Sequence, residues 1–116
     1  MNHLEIGRRG ERIAARWLKR NGCRILERNY RAGRYEIDLV ARERATDTIV
    51  FVEVKTRTEG GLGRPMDAVD RNKQRCLRLA AAHWIAEHGM ELRSTRFDVI
   101  EVLLPSEQVY RLENAF

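Results

Sequence analysis

The sequence predicts an α/β fold in which one central mixed β-sheet is flanked by helices, in the element order α-β-β-β-α-β-β. Two long segments repeat apolar residues at helical spacing, and five shorter segments have the apolar composition of strands. Short polar stretches separate them, and no repeat or linker divides the 116 residues. A chain of this length suits a single compact domain over residues 1–116.

The two predicted helices have recognisable ends. The first is predicted over residues 6–20 from its apolar face. The second runs from a cap at Asp67 or Asp70 to about His88, and Gly89 ends it. One face of the second helix carries a buried apolar stripe: Val69, Leu77, Ala80, Ala81, Trp84 and Ile85.

The strands are predicted from apolar runs that turn-forming residues separate. Residues 29–33 have the composition of a turn, and the short polar segment 43–47 is typical of a hairpin loop. Residues 49–52 are apolar on both faces, which predicts a central strand that is covered on both sides. The Gly-rich segment 59–65 is predicted as a loop. The predicted strands are residues 23–27, 36–42, 48–56, 96–104 and 109–112.

Positive charge is concentrated near the N-terminus. The net charge is +5, but residues 1–34 hold ten basic and three acidic residues, a balance of +7. This asymmetry favours a polyanionic partner, although a well-solvated helix face explains it equally well. Arginine outnumbers lysine, which favours phosphate recognition because the guanidinium group binds phosphate oxygens bidentately. A GC-rich coding sequence gives the same bias.

Several classes of protein do not fit the sequence. No apolar stretch approaches the roughly 20 residues that a transmembrane helix needs. The first residues lack the basic and apolar regions of a signal peptide, so we expect a cytoplasmic protein without a membrane partner. Cys23 and Cys76 lack CxxC spacing, and we expect both to be reduced core residues.

Two strands carry acidic residues in apolar surroundings. Side chains alternate along a strand, so Glu53 and Lys55 share one face of the third strand. If the second and third strands form a hairpin, Asp38 can lie near Glu53. Two carboxylates about 4 Å apart repel by about 4 kcal/mol at an effective dielectric near 20. A divalent cation such as Mg²⁺ can offset this repulsion, and so can a purely structural ion-pair network with Lys55.

The spacing Asp38(x14)Glu53-x-Lys55 resembles the signature of the PD-(D/E)XK nucleases, which include restriction endonucleases and Holliday-junction resolvases. More closely, the chain resembles the YraN-like family of small bacterial proteins. Two positions depart from these patterns, since Ile37 stands in place of proline and Tyr35 in place of glycine. The matching segments are residues 7–15, 36–41, 50–57, 96–102 and 113–116.

The resemblance implies a restriction-endonuclease-like fold and a metal-dependent endonuclease that uses Mg²⁺ or Mn²⁺ to hydrolyse phosphodiester bonds in DNA. Asp38 and Glu53 would then be catalytic metal ligands, Glu11 a further metal ligand from the first helix, Lys55 the catalytic lysine and Glu36 an auxiliary carboxylate. Two alternatives stay open at this point: a catalytically silent nucleic-acid-binding module, and an interaction protein with a structural ion-pair cluster. Glu11 is also compatible with an ordinary surface ion pair.

Three basic residues are predicted to contact nucleic acid: Arg8, Arg57 and Lys73. Arg57 extends the third strand beyond the lysine of the signature, and Lys73 lies near the start of the second helix. A solvated surface explains these two residues equally well. Recognition of duplex DNA by so small a domain would need two copies, which predicts a homodimer.

Overall fold

A computed structural model describes residues 2–60 and 69–116. The predicted order α-β-β-β-α-β-β is confirmed. Asp67 and most of the Gly-rich segment lie outside the described residues. The elements are α1 (His3–Arg20), β1 (Cys23–Ala32), β2 (Tyr35–Glu43), β3 (Thr48–Thr58), α2 (Arg71–His88), β4 (Thr95–Leu104) and β5 (Gln108–Leu112).

All five strands form one mixed sheet in the order β1-β2-β3-β4-β5. The pairs β1/β2, β2/β3 and β4/β5 are antiparallel, whereas β3 and β4 are parallel. The parallel pair requires a crossover, and α2 lies in the connection between β3 and β4. The predicted hairpin loop is confirmed, because β2 ends at Glu43 and β3 begins at Thr48.

The sheet separates two apolar cores, one under each helix. Val50 and Val52 of β3 pack in the core under α1, whereas Ile49 and Phe51 pack in the core under α2. All four side chains are at most 1% exposed. The prediction that β3 is a central strand covered on both sides is therefore confirmed, and burial of these side chains is the main favourable term in holding the layers together.

The first strand is longer than its sequence suggested. β1 continues to Ala32, so the prediction of a turn over residues 29–33 is wrong; the turn lies at Gly33 and Arg34. Pairing with β2 along the whole strand outweighs the local turn tendency, and Tyr30 is buried opposite Ile37.

The helix ends follow from capping. Asn2 accepts a hydrogen bond from the Glu5 backbone N–H at 2.8 Å, so α1 starts earlier than residue 6. Asp70 caps α2 by accepting from the Lys73 backbone N–H at 2.8 Å. Gly89 ends α2 with a left-handed conformation, as predicted.

Helix α1 lies unusually close to β3. A Cβ atom added at Gly10 would lie 1.8 Å from Thr56 Oγ1, so the helix can approach the strand here only because residue 10 is glycine. This close approach holds the next residue, Glu11, beside the sheet.

Two further expectations concern the whole chain. Within the described ranges, neither helix is both long and apolar enough to cross a bilayer. Cys23 and Cys76 are both free thiols; Cys23 is buried as predicted, whereas Cys76 is only partly buried.

Candidate functional site

The strand pair β2/β3 opens at the position of the predicted site. Backbone pairing between them is described as far as Leu39 opposite Val52. Continuing this register places Asp38 opposite Glu53. The Asp38 carboxylate accepts a hydrogen bond from the Val54 backbone N–H at 2.7 Å. Where the backbone pairing ends, the Asp38 carboxylate thus replaces a backbone carbonyl as the acceptor for a strand N–H.

Asp38 and Glu53 form a partly buried and mutually repelling pair. Burial, followed by the charge of Asp38, raises the pKa of Glu53 to about 7. Burial also raises the pKa of Asp38, although the Val54 N–H and the charge of Lys73 act in the opposite direction. Glu53 Oε2 is buried and accepts no hydrogen bond from the described residues. A side-chain hydrogen bond between the two carboxyl groups acts to raise the pKa of Glu53 and to lower that of Asp38, so a shared proton relieves part of the repulsion. When both groups are ionised, the pair carries more negative charge than its surroundings compensate.

The predicted lysine lies on the same side of β3 as Glu53. Val54 packs in the core under α1, and Thr56 faces Gly10 of α1. Because side chains alternate along a strand, Glu53 and Lys55 both point to the side of α2. Lys55 is partly buried and stands opposite Glu101 in the β3/β4 register.

A second lysine also approaches the pair. Lys73 of α2 places its Nζ atom 3.6 Å from Glu53 Oε1. The sequence indicated Lys73 only as a phosphate contact; its pairing with Glu53 depends on how α2 crosses the sheet, which no local pattern records.

Glu11 and Glu36 lie on the side of α1 and β1. Burial and the charge of Asp38 raise the pKa of Glu11, while a hydrogen bond with the Asn29 side chain acts in the opposite direction. Glu36 pairs with Arg31 at 3.2 Å. Within residues 2–60 and 69–116, no three Asp, Glu, His or Cys side chains lie close enough to hold one metal ion. The structure thus brings Asp38 and Glu53 together, and the role of Glu11 as a third ligand stays a prediction.

The three predicted nucleic-acid contacts have different surroundings. Arg8 is exposed and lines a groove of about 230 Å³ between α1 and β1. Arg57 lies 4.0 Å from Glu101, and Lys73 lies against Glu53. Arg8 is therefore directed to open surface, whereas the other two residues approach carboxylates.

Glu101 is a site neighbour that sequence reasoning missed. Its side chain is fully buried in β4, and Arg57 approaches it from β3. The signal was present in the sequence, because a carboxylate within the apolar run 99–104 is as unusual as Glu53 in its own strand.

The fold and the site define a small α/β protein with an acidic pair where two central strands separate. The chain belongs to the Uncharacterised protein family UPF0102, whose profile matches residues 10–102. This range contains Glu11, Asp38, Glu53 and Lys55. The family assignment confirms the predicted resemblance to the YraN-like bacterial proteins.

The chain is similar to UPF0102 proteins from several bacteria over nearly their full length. The protein from Beutenbergia cavernae is 47% identical over 109 residues, which cover 94% of this chain and 91% of the relative. The protein from Rhodococcus jostii is 41% identical, with 99% of this chain and 98% of the relative covered. The protein from Geobacter metallireducens is 42% identical, with 100% and 95% covered.

Proposed function

We propose that the protein is a metal-dependent nuclease that hydrolyses phosphodiester bonds in DNA with Mg²⁺ or Mn²⁺ held at Asp38 and Glu53. The observation that carries this proposal is the undercompensated carboxylate pair at the opening between β2 and β3. Its two raised pKa values, together with the buried Glu53 Oε2 that accepts no hydrogen bond from the described residues, mark a place that favours a cation.

The donor set fits a hard divalent cation. Mg²⁺ binds through one or two carboxylates and completes its octahedral shell with waters and phosphate oxygens. Asp38 and Glu53 supply these two carboxylates. Asp38 is held in place by the Val54 N–H, so one ligand is positioned before any ion arrives.

Asp38, Glu53 and Lys55 would have different roles in the hydrolysis. A divalent cation at this position would acidify a water and offset charge on the phosphodiester. Asp38 and Glu53 would hold the ion, and their partial burial reduces the screening of their charge by water. Lys55 lies two residues beyond Glu53 on the same side of β3, about 6–7 Å along the strand. From there its ammonium group can neutralise the negative charge that develops on the phosphate.

A basic surface on the α1 and β1 side of the sheet supports DNA as the substrate. Two grooves, of about 230 and 390 Å³, lie along α1 and β1 and reach Glu11. Arginine forks suit the phosphate backbone, to which nucleic-acid-binding proteins owe much of their affinity. Leu39 lines one groove and Glu36 the other, and because these residues flank Asp38 in β2, a DNA strand in the grooves would approach Asp38. The arginines that line them are Arg8, Arg12, Arg28 and Arg31.

Calorimetric titration with Mn²⁺ tests the metal site directly. Wild type is expected to bind Mn²⁺, and Asp38→Asn is expected to lose binding. Glu91→Gln removes one exposed carboxylate elsewhere and is expected to bind like wild type. Equal binding by wild type and Asp38→Asn would contradict the proposed site.

Cleavage of duplex, forked and four-way DNA tests the activity. Lys55→Ala is expected to lose cleavage while it still binds Mn²⁺ and DNA; Lys19→Ala is the matched control on the exposed end of α1. If wild type binds these DNAs but cuts none of them, the chain is a nucleic-acid-binding module. If wild type and Lys55→Ala cut equally, a contaminating nuclease explains the cleavage. Light scattering with and without duplex DNA tests the predicted homodimer.

A further inference from the structure

Lys73 meets Glu53 in a loose contact at the mouth of the site. The Nζ–Oε1 distance of 3.6 Å exceeds the roughly 2.7–2.9 Å of a charge-assisted hydrogen bond. The Lys73 side chain is 47% exposed, whereas that of Glu53 is 15% exposed. The amine therefore covers the carboxylate from the solvent side and keeps much of its own hydration.

The backbone of Lys73 is fixed, whereas its side chain is held only by the loose contact with Glu53 among the contacts of the described residues. The Lys73 N–H donates to the Asp70 side chain at 2.8 Å, which anchors the first turn of α2 beside the site. The four-carbon stem of lysine carries a compact charge through several rotatable bonds. The amine can therefore leave Glu53 without any movement of the helix.

We propose that Lys73 is an exchangeable counter-ion for Glu53. It partly offsets the charge of this carboxylate when no metal is bound, and it moves away when a divalent cation binds, so that its amine becomes available to a substrate phosphate. This inference rests on the proposed function, because it needs a cation at Asp38 and Glu53. An ammonium group and a divalent ion on the same carboxylate repel each other, so Lys73 lowers the affinity for the metal. In the metal-free protein, the same ammonium group helps to keep Glu53 ionised.

Metal titrations of three variants test the exchange. Lys73→Met is expected to bind Mn²⁺ about three- to tenfold more tightly than wild type at moderate salt, because the competing charge is gone. Lys73→Arg keeps the charge and is expected to bind about as wild type does. Arg75→Met is the matched control: it removes an exposed charge from the same turn region of α2, where Arg75 lines a separate groove with Arg34.

Nuclear magnetic resonance can follow the amine itself. The chain contains three lysines, Lys19, Lys55 and Lys73, so side-chain signals from lysine-labelled protein can be assigned by substitution. Addition of diamagnetic Mg²⁺ is expected to move the Lys73 signal towards that of the exposed Lys19. The Lys19 signal is expected to stay in place.

The outcomes separate the two proposals. If wild type binds metal, yet Lys73→Met binds no more tightly and the Lys73 signal does not move, the exchange is refuted and the metal site stands. If neither wild type nor Lys73→Met binds Mn²⁺ or Mg²⁺, the proposed metal site is refuted, and the exchange with it.

Discussion

Two acidic clusters on the same sheet differ in how well their negative charge is compensated. In the first, Arg96 donates to both oxygens of Glu43 at 3.2 and 3.0 Å, and to Asp98 at 2.8 and 3.0 Å. Hydrogen bonds from Arg96 lower the pKa of Glu43. In the second, Asp38 and Glu53 have raised pKa values.

The difference lies in the compensating cation and its geometry rather than in the acidic residues, since each cluster contains one Asp and one Glu. A guanidinium fork satisfies the first pair of carboxylates within hydrogen-bond distance, and the Asn114 N–H adds a further bond to Asp98 at 3.0 Å. The second pair also has one backbone donor, the Val54 N–H to Asp38 at 2.7 Å, but its cation is a loose ammonium 3.6 Å from Glu53. The Arg96 cluster thus has its compensation built in, whereas the strand opening leaves a deficit of positive charge that a proton or a metal ion can fill.

Removing the built-in compensation is expected to have the largest effect on stability. Arg96→Leu leaves Asp98, which is 1% exposed, without its cation. We expect the free energy of unfolding to fall by about 3–5 kcal/mol, as when one partner of a buried pair is removed. Urea unfolding at pH 7 measures this loss. Arg93→Leu is the control: it breaks the exposed pair with Asp47, where a much smaller loss is expected.

Removing the uncompensated charge is expected to stabilise the metal-free protein. The pKa of Glu53 rises from its ordinary value of 4.5 to about 7, so the folded protein loses stability as the pH rises between these values. Glu53→Gln is expected to be about 2 kcal/mol more stable than wild type at pH 8, and to lose most of this advantage at pH 5.

Thermal unfolding of wild type and Glu53→Gln at pH 5 and pH 8, with and without Mn²⁺, measures this difference in stability. Mn²⁺ is expected to stabilise wild type and to leave Glu53→Gln unchanged. A Glu53→Gln variant that is less stable than wild type at pH 8 would show that Glu53 is compensated after all.

A third variant asks whether α1 contributes to the site. Gly10→Ala puts a methyl group into Thr56, so α1 must shift, and we expect a loss of about 1–3 kcal/mol. Gly7→Ala is the matched control one turn earlier, where an added Cβ meets nothing within 4 Å; it is expected to be neutral or slightly stabilising. If Glu11 helps to hold the metal ion, Mn²⁺ affinity is expected to fall in Gly10→Ala and to stay unchanged in Gly7→Ala.

The main parts of the site could be predicted from sequence because they are local. The hairpin loop pairs Glu43 with Thr48, and the register away from the loop reaches Leu39 opposite Val52. One further step along both strands places Asp38 opposite Glu53. The Arg96 cluster could not be predicted in this way. It joins β2, β4 and the C-terminal segment, and its contacts depend on strand order. The extension of β1 was missed for the same reason, since pairing with β2 overrode a turn-like sequence.

The smallest expected effect is the pH dependence of Mn²⁺ affinity. It distinguishes the two clusters because Glu53, unlike Glu43, titrates in the range where binding is measured. Glu53 must release its proton before it can bind an ion, so Mn²⁺ affinity is expected to fall by up to about tenfold between pH 7 and pH 6. Above pH 8 the affinity is expected to level off. Glu43, with its lowered pKa, is already ionised in this range and adds nothing to the slope.

Calorimetry in two buffers of different ionisation enthalpy counts the protons that leave on binding. About one proton per ion is expected near pH 6, and almost none at pH 8. An affinity that stays constant from pH 6 to pH 8 would mean that the carboxylates at the strand opening are ionised throughout. The contrast with the Arg96 cluster would then disappear, and with it the physical reason for expecting a cation between β2 and β3.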